Sequence, residues 1–113
     1  MLTANTTAIV TGGASGLGAA TAAALAASGS RVIALDLAAA CEAGPIVEGV
    51  QYVPTDVTSE EEVRAAVATA SDDPSRPLRI VVNCAGIGPS TRILGRKGVH
   101  DLALFRKVVE INL

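Results

Sequence analysis

The 113-residue chain is half hydrophobic and only 18% charged, with a net charge of −2. These values exclude a disordered polymer and give no electrostatic reason to expect nucleic acid or a membrane surface as partner. Tyr52 and Phe105 are the only aromatics, so the core of one modest domain has to come from Ala, Val, Ile and Leu, a composition suited to helices lying close on a parallel sheet.

In chain order, Thr6 to Val10 predicts a first strand, and Gly16 to Ala27 a helix on which Leu17, Ala20, Ala24 and Ala27 recur at helical spacing. Gly29 is placed to end that helix. Arg31 to Asp36 predicts a second strand ending on a carboxylate. Leu37 to Gly44 is a short helix stopped by Gly44-Pro45, and Val50 to Val53 is a third strand. Ser59 and Glu62 have capping-box spacing, with Glu60 and Glu61 in the first turn and an apolar stripe of Val63, Ala66, Val67 and Ala70. Ser71 to Pro77 is a polar turn. Ile80 to Val82 is a fourth strand that breaks at Asn83-Cys84-Ala85-Gly86. Ile87 to His100 is a loop holding Arg92, Arg96 and Lys97. Asp101 caps a last helix with Leu102, Phe105, Val108, Val109 and Asn112 on related faces.

The alternation of strand and helix predicts an α/β fold with a Rossmann-type doubly wound parallel sheet of order 3-2-1-4. Residues 1–113 are expected to form one nucleotide-binding half-domain, incomplete at its C-terminal side. A ligand belongs beyond the carboxyl ends of strands 1 and 4, where the winding reverses, and both the glycine turn and the Asn83–Gly86 turn fall there. Cys41 and Cys84 lie in no metal spacing, Met1 to Thr7 shows no secretory signal, and the apolar runs are too short to span a bilayer. The expectation is free thiols in a reducing, cytoplasmic setting.

The strongest chemical signal is Thr11-Gly12-Gly13-Ala14-Ser15-Gly16-Leu17-Gly18, set between a strand and a helix. A helix start offers unpaired N–H groups and the positive end of a dipole, and glycines let a pyrophosphate approach without meeting a Cβ. Asp36 follows Gly18 by 18 residues and ends the second strand, where a ribose would lie. Its carboxylate can accept hydrogen bonds from ribose hydroxyls and would repel a 2′-phosphate. No Arg or Lys stands just before Gly16 or just after Asp36, which favours NAD over NADP.

These residues resemble the N-terminal part of a short-chain dehydrogenase/reductase. Thr11-Gly12-x-x-x-Gly16-x-Gly18 is similar to that family's cofactor turn, and Asp56-Val57 to its Asp-Val after the third strand. Asn83-Cys84-Ala85-Gly86 resembles its Asn-Asn-Ala-Gly turn, and Glu110-Ile111-Asn112-Leu113 its helix with the tetrad Asn. Within the family the motifs look most similar to type II 3-hydroxyacyl-CoA dehydrogenases, a group that also acts on some hydroxysteroids.

The resemblance implies a cofactor set of Gly12, Ser15, Gly16, Leu17 and Gly18 at the turn, Asp36 at the ribose, and Asp56 and Val57 at the adenine. It adds Asn83, Cys84, Ala85 and Gly86 near the second ribose, largely through backbone, and Asn112 as the catalytic-tetrad member that holds a water or backbone group. It further implies hydride transfer between NAD and a secondary alcohol or ketone, with a 3-hydroxyacyl-CoA as one candidate substrate, and a homo-oligomer in the full-length relative. The family's Ser and Tyr-x-x-x-Lys are absent from the 113 residues, which are therefore expected to be inactive alone. Two other readings stay open: a non-catalytic nucleotide-binding or partner-binding module, and half of an S-adenosylmethionine-binding methyltransferase. The Asn-Cys-Ala-Gly turn argues against the second.

Overall fold

The computed structural model describes residues 3–90 and 92–113; Met1 and Leu2 of the polar N-terminal stretch and Thr91 of the basic loop lie outside the described residues. Strand β1 (Thr7–Thr11) leads through the glycine turn into α1 (Gly16–Ala27), then β2 (Arg31–Asp36), α2 (Ala38–Ala43), β3 (Val50–Pro54), α3 (Glu60–Ala70) and β4 (Leu78–Asn83). A two-residue hairpin of β5 (Leu94–Gly95) and β6 (Gly98–Val99) precedes α4 (Leu102–Asn112). The four long strands are parallel in the expected order β3-β2-β1-β4.

The sheet is covered on both faces at its centre because successive side chains of a strand point to opposite sides. Ala8 and Val10 of β1 pack with Val32 against Ala22, Leu25 and Ala26 of α1. Ile9, between them, packs with Ile33 and Leu35 against Ala66 and Ala70 of α3. The central strands are thus continuous apolar runs, whereas β4 alternates between half-buried and exposed residues, as an edge strand does.

The structure corrects three local expectations. The stripe Leu17, Ala20, Ala24 and Ala27 faces outward: all four are exposed, Leu17 by 85%, while Gly18 and Ala22 are buried. Alanine occurs on every side of α1, so hydrophobicity cannot set its phase. The glycine can, because only Gly18 fits against the carbonyl oxygen of Gly12. Second, the capping box forms by half. Ser59 Oγ accepts from the Glu62 N–H at 3.3 Å, but Glu62 Oε1 accepts from the N–H of Asp56. The Ser59 N–H already donates to the Asp56 carbonyl. Third, the basic loop contains the hairpin, with Leu94 opposite Val99 and Gly95 opposite Gly98.

Candidate functional site

The parallel register sets Thr11 beside both Leu35 and Asn83, so the turns after β1, β2 and β4 open at one end of the sheet. A cleft of about 720 Å³ lies there. Gly12, Ser15, Gly16, Leu17 and Gly18 line its β1 side, Asp36, Asp56 and Val57 its β2 and β3 side, and Cys84, Ala85 and Gly86 its β4 side. Asn83 is the exception. It lines a larger, mainly apolar groove on the α3 side of the sheet, together with Asn112. The alternation of side chains along β4 turns Asn83 away from the cleft and Cys84 towards it.

The glycine turn is closed by backbone contact. Gly12 has φ +66°, and a Cβ there would lie 2.8 Å from the nitrogen of Ala85. Ser15 caps α1 with extended backbone, and its hydroxyl makes no bond to the first turn, which contains no acidic residue. The leading N–H groups of a 12-residue helix therefore face the cleft without a side-chain acceptor. A Cβ at Gly16, where φ is +54°, would meet nothing within 4 Å, so open space lies at the positive end of the helix, where a pyrophosphate fits.

Asp36 is fixed before any ligand arrives. Its Oδ2 accepts from the Ala14 N–H at 3.1 Å and its Oδ1 from the Leu37 N–H at 2.9 Å. Each oxygen keeps lone-pair capacity for a further donor. Its carbonyl accepts from Thr55 N at 2.7 Å, joining the ends of β2 and β3. Asp56 forms a tight local turn: one carboxylate oxygen accepts from the Thr58 hydroxyl at 2.7 Å and the Thr58 N–H at 2.9 Å. These two bonds, the hydroxyl first, hold the Asp56 carboxyl below the usual carboxylate range. Behind Asp36, burial and then the Asp36 charge push the Cys41 thiol above its ordinary value.

The sequence did not single out Thr11 as more than part of a motif, yet its side chain joins the two halves of the site. Its Oγ1 accepts from the N–H groups of Cys84 at 3.1 Å and Ala85 at 3.2 Å, and its carbonyl accepts from Cys84 as well. Only the β1–β4 register could have revealed this. Asn112 clamps the next residues: its Oδ1 accepts from the Ile87 N–H and its Nδ2 donates to the Ile87 carbonyl, both at 2.9 Å. Three further α4 residues, Lys107, Glu110 and Ile111, line the cleft.

Among the described residues, no helix is long and apolar enough to cross a membrane, and no group of three or more His, Cys, Asp or Glu stands together as a metal site. A family model described as short chain dehydrogenase matches residues 6–113. The chain is 42% identical over 113 residues to the 3-hydroxyacyl-CoA dehydrogenase type-2 of Drosophila melanogaster, covering 96% of this chain and 44% of the relative. It is 39% identical over 111 residues to the Homo sapiens protein of the same name, covering 94% and 42%. A solved short-chain type dehydrogenase/reductase from Mycobacterium ulcerans superposes with a TM-score of 0.75 at 31% identity, over 97% of this chain and 42% of that one. The chain therefore spans less than half the length of these relatives.

Proposed function

This chain belongs to the short-chain dehydrogenase family, and from that premise we propose that it is the cofactor-binding part of an oxidoreductase that passes hydride between NAD and a secondary alcohol or ketone. The observation that carries the choice of NAD is the Asp36 carboxylate, oriented in the cleft by Ala14 and Leu37. It can accept from a ribose hydroxyl, and it would meet a 2′-phosphate with like charge. The glycine cradle and the open start of α1 suit the pyrophosphate, and Asp56 and Val57 suit the adenine end. When bound, the nicotinamide supplies the hydride acceptor or donor.

The residues on the β4 side act by position. Thr11 holds the Cys84–Ala85 backbone, and Asn112 holds Ile87, so the wall near the second ribose is rigid before the cofactor enters. The 113 residues contain no Tyr-x-x-x-Lys, and an unassisted tyrosine, with a pKa of ~10, is a poor base at neutrality. The chain by itself is proposed to bind the dinucleotide without turnover. A 3-hydroxyacyl-CoA is the proposed substrate of the longer protein, supported by the names of the curated relatives. Two free cysteines suit a cytoplasmic setting, and the apolar residues on α4 suit a homo-oligomer of the longer protein.

Calorimetric titration of the chain tests the proposal. NAD is expected to bind at least about tenfold more tightly than NADP, and Asp36→Ala is expected to remove most of that preference. Equal affinity for the two, or no binding of either, would overturn it. Binding of S-adenosylmethionine instead would support the methyltransferase reading.

A further inference from the structure

Tyr52 is the only tyrosine of the chain, and it stands outside the lining of the cofactor cleft. In the β2–β3 register it pairs with Ala34, and Asp36 follows Ala34 by two residues. Alternation along the strands therefore puts Tyr52, Ala34 and Asp36 on one face of the sheet.

The Tyr52 ring packs against the end of α2. A Cβ added to Gly44 would stand 3.0 Å from the ring Cζ and from the hydroxyl oxygen, and 3.3 Å from the Cβ of Ala14. Gly44 is thus held between Tyr52 on β3 and Ala14 in the glycine turn. Its φ of −68° is one that any residue adopts, so the glycine is needed for space. The Tyr52 hydroxyl donates to the Pro45 carbonyl at 2.6 Å. Burial, and then the neighbouring Cys41, push the phenol above its ordinary value, so it keeps the proton it donates at neutral pH.

A helix of six residues with no buried side chain does not fix its own position. Tyr52 fixes α2 at its far end, and the near end carries the acid. Leu37, whose N–H donates to Asp36 Oδ1, is the N-cap residue of α2. Midway along the helix, Cys41 Sγ donates to the Asp36 carbonyl at 3.5 Å. The other donor to the carboxylate is the N–H of Ala14, the residue on which Gly44 rests. Both N–H groups that aim the Asp36 carboxylate therefore belong to segments tied together at Tyr52 and Gly44.

We propose that Tyr52 is a positioning residue for Asp36: by wedging the end of α2 against the glycine turn, it sets the aim of the carboxylate and so the discrimination between a ribose 2′-hydroxyl and a 2′-phosphate. The inference rests on the role proposed for Asp36 and extends it to a residue outside the cleft.

The readout is the ratio of NAD to NADP affinity from calorimetric titration of the chain. The two dinucleotides differ only at the 2′ position, so a general loosening of the fold weakens both alike and leaves the ratio unmoved. Tyr52→Val keeps a strand former and removes the ring; it is expected to lower a preference of about tenfold or more to about threefold or less. Gly44→Ala wedges the same contact from the other side and is expected to lower the ratio by about threefold. Tyr52→Phe, which keeps the ring, is expected to stay within about twofold of the parent. In an Asp36→Ala background, neither Tyr52→Val nor Gly44→Ala is expected to move the ratio, because the group they act through is gone. Two results would overturn the proposal: a parental ratio in both Tyr52→Val and Gly44→Ala, or a fall by the same factor with and without the Asp36 carboxylate. Circular dichroism melts show which variants fold, and should Tyr52→Val not fold, Gly44→Ala decides by the same criteria. A parent chain without preference between the dinucleotides fails the Asp36 reading, and the role of Tyr52 falls with it. A parental preference that the variants leave intact fails the role of Tyr52 alone.

Discussion

At Gly12 and Gly18 of the turn the nearest atoms to an added Cβ are all backbone, whereas at Gly13 the nearest is the Ala34 side chain. At Gly18 the nearest is the carbonyl oxygen of Gly12, and at Gly12 it is the backbone of Cys84 and Ala85. Neither can move without shifting a strand end. Gly18→Ala should therefore destabilise the fold by about 2–3 kcal/mol, as overpacking does, and weaken dinucleotide binding together with it. Gly88→Ala, with open space and an ordinary backbone angle, should stay within about 0.5 kcal/mol. Denaturant melts of both variants check this. Asp56 gives a pH prediction. Its carboxyl is held below the usual range by the Thr58 hydroxyl and N–H. A depressed folded-state pKa contributes stability above the unfolded value, near pH ~4, and loses it as pH falls through the folded value. The stability gap between the parent chain and Asp56→Asn should therefore be constant near neutrality and close below about pH 4; melts from pH 7 to pH 3 measure it. Gly12, Gly18 and Asp36 were legible in the sequence because their spacing along the chain states their role. The bonds from Thr11 to Cys84 and Ala85, and from Ala14 to Asp36, were not, because they depend on which strands become neighbours.

Among the elements, α3 and α1 mark the limits of periodicity. The α3 sequence carries its own signals: a Ser cap, three acids in the first turn and an apolar stripe that is buried at Ala66 and Ala70. Ser59→Ala removes the bond to the Glu62 N–H and should cost about 1 kcal/mol, read from a shift of the melting midpoint. The α1 sequence has too little contrast between its faces to announce its orientation, and only the structure distinguishes Ala22, buried against β1 and β2, from Ala24, exposed. Matched substitutions test that phase. Ala22→Val adds two methyl groups to a filled site and should destabilise by about 1–3 kcal/mol. Ala24→Val pays only its lower helix propensity, roughly 0.5 kcal/mol. The reverse ranking would place α1 in the phase the sequence suggested.

Over the whole molecule, the sheet's covering is uneven. The radius of gyration is 16.1 Å and the principal extents are 55 × 26 × 25 Å, whereas a compact domain of this length has a radius near 13 Å. The elongation fits the last two features of the chain: the hairpin, all of whose paired residues are exposed, and α4, which buries none of its residues. On the α3 side, Val81 of the edge strand is 56% exposed and Val67 is 41% exposed. Together with Ile9, Val63 and Ile111 they line an open groove of about 1000 Å³. Beside that groove runs the edge of β4, which pairs with no further strand among the described residues. An apolar groove next to an open strand edge is a template for association. The chain is therefore expected to self-associate at micromolar concentration and to bind a hydrophobic dye while folded. Val67→Glu combined with Val81→Lys places charges on that face without touching the central strands, and should shift the chain toward monomer in sedimentation velocity. The parent chain sedimenting as a monomer with a single cooperative melt would mean that the groove closes on itself in solution. The charged pair would then destabilise the fold instead of dispersing it.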